Sequence, residues 1–333
     1  MALADKLVRR WYDGGPRPWL LRPLTWLYRA VVSVRAWLYR HGWLASERLP
    51  APVVVVGNIT LGGTGKTPLV IALVEHLRRQ GGRPGVVSRG YGGTQETPML
   101  LPDKPDPARF GDEPCLIRQR TGVPVAVGRD RPAAARRLLE AGCDVVVADD
   151  GLQHYRLQRD VEICVIDGER RLGNGLMLPC GPLREPPSRL RRVDFRVCNG
   201  GETDNGEVPM QLTGDHARHL RNDEREQPLH AFTDRPVHAI AGIGNPARFF
   251  DSLRAQGLDV IEHPFPDHHA FARDDLDFGD DLPVLMTEKD AVKCAGFAHD
   301  RCWSVPARAV LPETFFSQLD QRLHNYPQAS TPT

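Results

Sequence analysis

The sequence lacks the cysteine pattern of a disulfide scaffold or a zinc module. Its seven cysteines are scattered through 333 residues, are odd in number and never form C-x-x-C. Small secreted scaffolds and structural zinc sites both depend on closely spaced, paired cysteines. The pattern therefore predicts reduced, buried thiols in a cytoplasmic protein.

The sequence also lacks a dominant charge. The formal net charge is +1, from 43 Lys and Arg against 42 Asp and Glu, so no global field favours a nucleic-acid partner. No pattern indicates a protein partner either. With 41% hydrophobic and 26% charged residues over 333 positions, the composition is that of a folded globular chain with about two domains.

A long, uninterrupted apolar run is missing near the N-terminus. Arginines break every apolar run there well before the roughly 20 residues that a transmembrane helix needs, and no signal-peptide cleavage pattern follows. From residue 20 to residue 38, apolar side chains instead recur at steps of four and three, which is the spacing of one helical face. This apolar stripe consists of Leu20, Leu24, Leu27, Val31, Val34 and Leu38.

The N-terminal segment, residues 1–48, is also rich in tryptophan and arginine. Arg22, Arg29 and Arg40 fall roughly opposite the apolar stripe. Because tryptophan favours the water–lipid boundary and arginine attracts anionic head groups, we predict an amphipathic helix that lies on a membrane. A helix packed against the chain's own core is the alternative. The tryptophans of this segment are Trp11, Trp19, Trp26, Trp37 and Trp43.

The stretch GNITLGGTGKTP, residues 57–68, looks like a phosphate-binding loop. It departs from the pattern G-x-x-x-x-G-K-[ST], because Thr60 stands where the first glycine belongs. The glycines on which the tight curl depends are present, so backbone N–H groups can surround phosphate oxygens and Lys66 can reach the β- and γ-phosphates. The predicted ATP-binding residues are Thr60, Leu61, Gly62, Gly63, Thr64, Gly65, Lys66 and Thr67.

Two adjacent carboxylates follow a short apolar run at residues 145–148. Asp149 and Asp150 would be costly at the end of a buried strand unless a cation neutralised them. Together with the hydroxyl of Thr67, they are predicted to hold Mg²⁺.

Alternating strand and helix patterns predict the fold class. Apolar runs such as residues 53–56 and 145–148 are typical of buried parallel strands, and helical periodicity lies between them. We predict an α/β fold with a P-loop NTPase-like doubly wound parallel sheet, a second, smaller α/β domain and an N-terminal amphipathic helix. The predicted boundaries are 49–200 for the kinase domain, 201–228 for a linker or hinge, 229–327 for the smaller domain and 328–333 for a disordered tail.

Seven motifs in sequence order resemble those of the tetraacyldisaccharide 4′-kinases, the lipid A kinases of Gram-negative bacteria. They cover residues 50–295, and the N-terminal helix matches as well. The motifs are GNITLGGTGKTP, VSRGYGG (87–93), GDEP (111–114), DDGLQH (149–154), GPLREP (181–186), DHHAF (267–271) and TEKDAVK (287–293).

The resemblance implies ATP-dependent phosphorylation of the 4′-hydroxyl of a tetraacylated glucosamine disaccharide 1-phosphate, which forms the lipid A precursor lipid IVA. ATP is then a substrate, Mg²⁺ the cofactor and the lipid disaccharide the partner. The enzyme is expected as a peripheral protein on the cytoplasmic side of the bacterial inner membrane. A substrate with four acyl chains stays in the bilayer, so the N-terminal helix would bring the enzyme to the membrane that holds it.

Catalytic roles are also implied by the resemblance. Asp112 of GDEP matches the carboxylate that helps activate the sugar hydroxyl, and His268 of DHHAF matches the histidine that pairs with it. The adjacent His269 stays an alternative to His268. Because His268 falls in the smaller predicted domain and the glycine loop in the kinase domain, we expect the domains to close during catalysis.

Further site residues follow from the same resemblance. Lys66 and Arg131 complete the implied catalytic set, Arg131 as the arginine that stabilises charge on the transferring phosphate, with Arg129 as an alternative. Glu185 of GPLREP matches a magnesium-associated carboxylate. The motif TEKDAVK receives no role. Contacts to substrate or phosphate are implied for Arg89, His154 and Arg184.

Two other functions fit parts of the pattern. A membrane-recruited P-loop ATPase switch needs the glycine loop and the helix but no small-molecule acceptor; however, Leu61 stands where such proteins carry an extra lysine. An ATP-dependent ligase on the same fold needs a carboxylate substrate. The fate of the γ-phosphate of ATP separates the three functions.

Overall fold

The computed structural model describes residues 11–12, 19–222 and 224–324. The predicted tail, 328–333, and most positions before Trp19 lie outside the described residues. Two β-sheets, one large and one small, organise the described chain. All seven cysteines are buried and none is disulfide-bonded, which confirms the prediction of reduced thiols.

The large sheet has nine strands, and its central strand, Val53–Gly57, leads into the glycine loop. Neighbouring strands are parallel except at the two edges, where Arg308–Val310 and Met99–Leu100 run antiparallel. From one edge to the other, the strands are Arg308–Val310, Val208–Thr213, Phe195–Asn199, Val161–Asp167, Val53–Gly57, Val145–Ala148, Pro84–Ser88, Val125–Val127 and Met99–Leu100.

The chain order confirms the predicted doubly wound parallel sheet. From Val53–Gly57 the chain moves to one side of the sheet and returns through the neighbouring strand Val145–Ala148. It then crosses to the other side at Val161–Asp167. In such sheets, ligands bind beyond the carboxyl ends of the strands where the order reverses.

Helices cover both faces of the large sheet. Val54 of the central strand packs into a core with the helix Lys66–Arg79, and Val55 packs into a second core with the helix Arg131–Glu140. This alternation follows from the two-residue period of a strand. The α-helices are Arg22–Arg40, Lys66–Arg79, Pro107–Phe110, Asp112–Thr121, Arg131–Glu140, Pro246–Ala255, Glu288–Cys294 and Glu313–His324.

The small sheet has six strands and two cores of its own. The helix Pro246–Ala255 packs on one face through Phe250, and the helix Glu288–Cys294 packs on the other through Cys294. We call this sheet and its helices the small unit, and the large sheet and its helices the large unit. The strands in order are Glu226–Pro228, His216–His219, Cys302–Val305, Val284–Thr287, Val237–Ala241 and Val260–Pro264.

Two segments lie elsewhere than the predicted boundaries placed them. The segment 201–228, predicted as a linker or hinge, supplies the strand Val208–Thr213 to the large sheet and two strands to the small sheet. The helix Glu313–His324, assigned by prediction to the smaller domain, packs on the large sheet through Phe315. Few apolar residues in the polar segment 201–228 are buried, Met210 among them, so the segment carries almost no periodic signal.

Five of the six residues of the predicted apolar stripe are exposed along the 3₁₀ turn Trp19–Leu21 and the N-terminal helix Arg22–Arg40; Leu38 is half-buried. Leu20 is 72% exposed, Leu27 61% and Val34 55%, so the stripe is not part of the chain's own core. Another face of the helix binds the large unit, where Thr25 Oγ1 accepts a hydrogen bond from Cys180 N at 3.2 Å. Within the described ranges, no helix is both long and apolar enough to cross a bilayer.

Candidate active site

The glycine loop connects the central strand of the large sheet to the helix Lys66–Arg79. Gly65 ends the loop with φ +90°, and a Cβ there would lie 2.4 Å from Asn199 Nδ2. That amide group donates to Thr64 O at 3.0 Å and so fixes the curl. Gly65 is therefore required both for its backbone conformation and for the space it leaves.

Thr60 does not need to be glycine, because it lies in an extended part of the loop. Its backbone forms an isolated antiparallel bridge with Leu183, and the next residue, Leu61, donates its N–H to Pro182 O at 2.8 Å. The motif GPLREP thus braces the first half of the loop. Only the second half, from Gly62 to Gly65, curls with positive φ at both of these glycines.

Lys66, Asp150 and Arg184 meet at the start of the loop helix. Lys66 Nζ lies 3.5 Å from Asp150 Oδ1, and an Arg184 nitrogen lies 3.1 Å from Asp150 Oδ2. Burial opposes ionisation of Asp150, but Lys66 and Arg184 outweigh it and lower the pKa of this carboxyl to about 2. Asp150 is therefore ionised and holds two cations where phosphate would bind.

Asp149 offers a buried carboxylate oxygen without a protein partner. The residue is 2% exposed, Oδ2 accepts from Ser88 Oγ at 3.5 Å, and Oδ1 has no hydrogen bond in the described structure. Burial raises the pKa of Asp149, and the nearby Glu113 and Asp150 raise it further. An orphaned carboxylate at a strand end, next to Thr67 at the helix start, fits a divalent cation.

A ready-made metal cage is absent from the described residues, where no three His, Cys, Asp or Glu side chains gather in ligating positions. Mg²⁺ bound with a nucleotide takes several ligands from water and phosphate, so one or two carboxylates suffice. Glu185, the third predicted metal ligand, is buried and engaged by protein groups. Its carboxylate accepts from Gln153 Nε2 at 2.9 Å and from the Tyr155 hydroxyl.

Arg131 is fixed beneath the strand ends. The side chain is 2% exposed and donates to Val87 O at 2.7 Å and to Asp149 O at 2.9 Å. Burial lowers the pKa of Arg131 to about 10, so it remains charged. The family resemblance implied that Arg131 contacts the transferring phosphate. In the structure, its guanidinium instead donates to two backbone carbonyls.

His154 and Arg89 lie close to Arg131. Burial lowers the pKa of His154 to about 3, and the charges of Arg131 and Arg89 reinforce the shift. His154 is therefore neutral and can serve only as a hydrogen-bonding group. Arg89 is exposed at the end of the strand Pro84–Ser88, where an anion can reach it.

Asp112 and His268 come together from the two units. Asp112 begins the helix Asp112–Thr121 of the large unit, and His268 lies in a loop of the small unit with φ +60°. His268 Nδ1 is 3.2 Å from Asp112 Oδ2. His269 Nε2 instead binds Asp275 at 3.0 Å, so His268 is the histidine beside Asp112.

Sequence reasoning missed two lysines near this pair. Lys289 Nζ lies 3.5 Å from His268 Nε2, and Lys293 Nζ lies 4.0 Å from Asp112 Oδ2. Both belong to TEKDAVK and are four positions apart, so they share one face of the helix Glu288–Cys294. That spacing was the available signal, but it could not identify the helix that the lysines face.

Comparisons with known proteins agree with the site. A family model described as "Tetraacyldisaccharide-1-P 4'-kinase" matches residues 17–324. The tetraacyldisaccharide 4′-kinase of Stenotrophomonas maltophilia is 54% identical over 94% of this chain and 95% of its own. That of Nitrosococcus oceani is 51% identical over 94% of this chain and 93% of its own.

A solved structure agrees as well. The crystal structure of LpxK from Aquifex aeolicus in complex with ATP matches with a TM-score of 0.77 and 29% identity, and covers 91% of this chain and 98% of its own. The predicted kinase activity is confirmed by these matches, and the chain belongs to the tetraacyldisaccharide 4′-kinase family.

Proposed function

We propose that this kinase uses Asp112 as the base that prepares the 4′-hydroxyl of a tetraacylated glucosamine disaccharide 1-phosphate for attack on ATP. The observation that carries the proposal is the 3.2 Å contact between His268 Nδ1 and Asp112 Oδ2 across the two units. Glu113, the next residue, is close enough to Asp149 to raise the pKa of that carboxyl. The pair therefore lies beside the strand ends that carry the glycine loop.

The glycine loop and Lys66 hold ATP in this scheme. Backbone N–H groups of the loop and the N-terminus of the helix Lys66–Arg79 bind phosphate oxygens. Lys66, now 3.5 Å from Asp150 Oδ1, would turn to the β- and γ-phosphates. Thr67, Asp149 and Asp150 would hold Mg²⁺, which neutralises phosphate charge when bound.

The transfer is an in-line displacement. The 4′-oxygen of the sugar forms a bond to the γ-phosphorus while the bond from that phosphorus to the β–γ bridging oxygen breaks, and ADP leaves. The hydroxyl proton passes to a carboxylate oxygen of Asp112. His268 orients that carboxylate from the small unit, so the acceptor site is complete only while the two units are in contact.

The exposed apolar stripe is the proposed contact with the lipid surface. Leu20, Leu24 and Leu27 are each more than half exposed, and Trp26 is 67% exposed beside them. Apolar side chains with tryptophan and arginine favour the interface of an anionic bilayer. We place the enzyme as a peripheral protein on the cytoplasmic side of the inner membrane, where an acylated acceptor resides.

The test follows γ-³²P from ATP in vesicles that contain the tetraacylated disaccharide 1-phosphate. We expect label in the lipid with wild-type protein, and a loss of about 10²-fold or more with Lys66→Ala. A control, Asp234→Ala, alters an exposed residue of the small unit and should match wild type. Label released only to water would favour an ATPase switch and would overturn the proposal.

The same assay tests the lipid contact. The double variant Leu24→Ser/Leu27→Ser should lose transfer in vesicles but keep it with detergent-dispersed acceptor. The matched control is Ile261→Ser, which removes an exposed apolar side chain from the small unit. Equal loss in vesicles and detergent would show that the stripe acts in some other way.

A further inference from the structure

The transfer described above assigns no role to the motif TEKDAVK. Its helix is nevertheless firmly anchored in the small unit. Asp290 is fully buried, and its Oδ2 accepts from Gly242 N at 2.9 Å and from Thr287 Oγ1 at 2.7 Å. Thr287 in turn caps the helix by accepting from Asp290 N. Lys289, which lies between Thr287 and Asp290, therefore projects from a well-anchored helix.

Lys289 reaches from this helix into the contact between the units. Its Nζ lies 3.1 Å from Glu113 Oε1 of the large unit and 3.6 Å from Asp267 Oδ1. It also lies 3.5 Å from His268 Nε2. Glu288, one position earlier, pairs with Arg120 of the helix Asp112–Thr121, so two neighbouring ion pairs hold this helix against the one that begins at Asp112.

The contact with Lys289 determines which nitrogen of His268 carries a proton. An ammonium group can donate hydrogen bonds but cannot accept them. A hydrogen bond from Lys289 therefore requires His268 Nε2 to be the accepting nitrogen. The proton then belongs to Nδ1, which donates it to Asp112 Oδ2 at 3.2 Å.

Two carboxylates also face the His268 ring. Asp112 Oδ2 lies 3.2 Å from Nδ1, whereas Asp267 Oδ1 lies 3.9 Å from Nε2, which is too far for a hydrogen bond. The Tyr91 ring, at 5.2 Å, adds no charge. Burial disfavours the ammonium form of Lys289, but Glu113 and Asp267 outweigh burial and raise the pKa of Lys289.

We infer that Lys289 is a positioning residue: it makes Nε2 of His268 the accepting nitrogen and so directs the Nδ1–H of His268 to Asp112. The Nδ1–H of His268 donates to the Asp112 carboxylate and orients it as the base. This inference rests on the proposed roles of Asp112 and His268.

The test measures kcat and the position of the His268 ring proton in Lys289→Met, which removes the ammonium donor but keeps much of the stem. We expect kcat to fall about 10-fold and the ring proton of His268, followed by ¹⁵N NMR, to be shared between Nδ1 and Nε2. Lys289→Arg should restore both kcat and the proton on Nδ1. The control, Lys104→Met, alters an exposed lysine of the large unit and should leave both unchanged.

A ring proton that stays wholly on Nδ1 in Lys289→Met while kcat falls would overturn the inference, because Lys289 would then only join the units. Wild-type protein provides a second measurement that needs no variant: a proton on Nδ1 of His268 is expected, and one on Nε2 would contradict the inference. A wild-type rate in Asp112→Ala would instead refute the proposed roles of the pair, independently of either result.

Discussion

The two halves of the proposed active site are assembled in different ways. The nucleotide half is local, because one continuous stretch, residues 57–67, runs from a strand through the glycine loop into a helix. The acceptor half is composite, because Asp112 and His268 are separated by 156 positions and come from different units. The local half lies within the large unit, whereas the composite half requires both units to be folded and in contact.

Because of this difference, substitutions in the two halves should affect different steps. Changes in the glycine loop should weaken ATP binding directly. Changes at the contact between the units should slow phosphoryl transfer and leave ATP affinity intact. Matched pairs of substitutions can therefore separate the two halves.

The largest effect on the nucleotide half is expected from Gly65→Ala. The residue has φ +90°, and the added Cβ would lie 2.4 Å from Asn199 Nδ2, so both strain and a clash distort the loop. We expect a loss of about 1–3 kcal/mol of stability and at least about a 10-fold loss of ATP affinity. Thermal unfolding and nucleotide titration measure the two quantities.

Gly81→Ala is the matched control for Gly65→Ala. Gly81 has φ +85°, and nothing lies within 4 Å of an added Cβ. It should show the backbone strain alone, about 1–2 kcal/mol, with unchanged ATP affinity. Equal ATP affinities in both variants would mean that the curl at Gly65 is not needed for the nucleotide.

A smaller effect is expected from Glu288→Gln, which breaks the ion pair with Arg120 between the units. Both side chains are largely buried, so the unpaired arginine should lower the unfolding temperature by a few degrees and kcat by about threefold. ATP affinity should not change. Glu140→Gln breaks the exposed pair with Arg137 and should have almost no effect. A drop in ATP affinity in Glu288→Gln would contradict the separation of the two halves.

The strand, loop and helix of the local half were predictable from the sequence, whereas the roles of their residues stay predictions. Strand, loop and helix follow one another along the chain, so period and turn chemistry were sufficient to place Lys66 and the carboxylates Asp149 and Asp150. The same reasoning predicted the doubly wound sheet. It also predicted the apolar stripe of the N-terminal helix, whose exposure required the structure.

The composite half was harder to predict from the sequence. Contacts between side chains of the two units leave no periodic pattern along the chain. The sequence could not decide between His268 and His269, although only His268 contacts Asp112. The family resemblance implied that Arg131 contacts phosphate and that Glu185 binds metal. In the structure, both side chains form hydrogen bonds with protein groups instead. Those hydrogen bonds depend on tertiary placement, which local patterns do not encode.

The predicted boundaries failed for a related physical reason. The strand Arg308–Val310 pairs with Val208–Thr213 across almost the whole smaller unit, and such distant pairing cannot be read from the residues of either strand. A polar segment that contributes short strands to two sheets looks like a linker in sequence. The two units are thus joined at both ends of the smaller one, which suits an acceptor site that depends on their contact.

The most direct test of the account is a double-mutant cycle on Asp112 and His268 in single-turnover phosphoryl transfer at saturating ATP. Asp112→Asn should slow transfer by about 10²–10⁴-fold. Adding His268→Gln should slow it little further, because the two residues act as one unit, and ATP affinity should stay unchanged throughout. Multiplicative losses, or a wild-type rate in Asp112→Asn, would contradict a base assembled from both units.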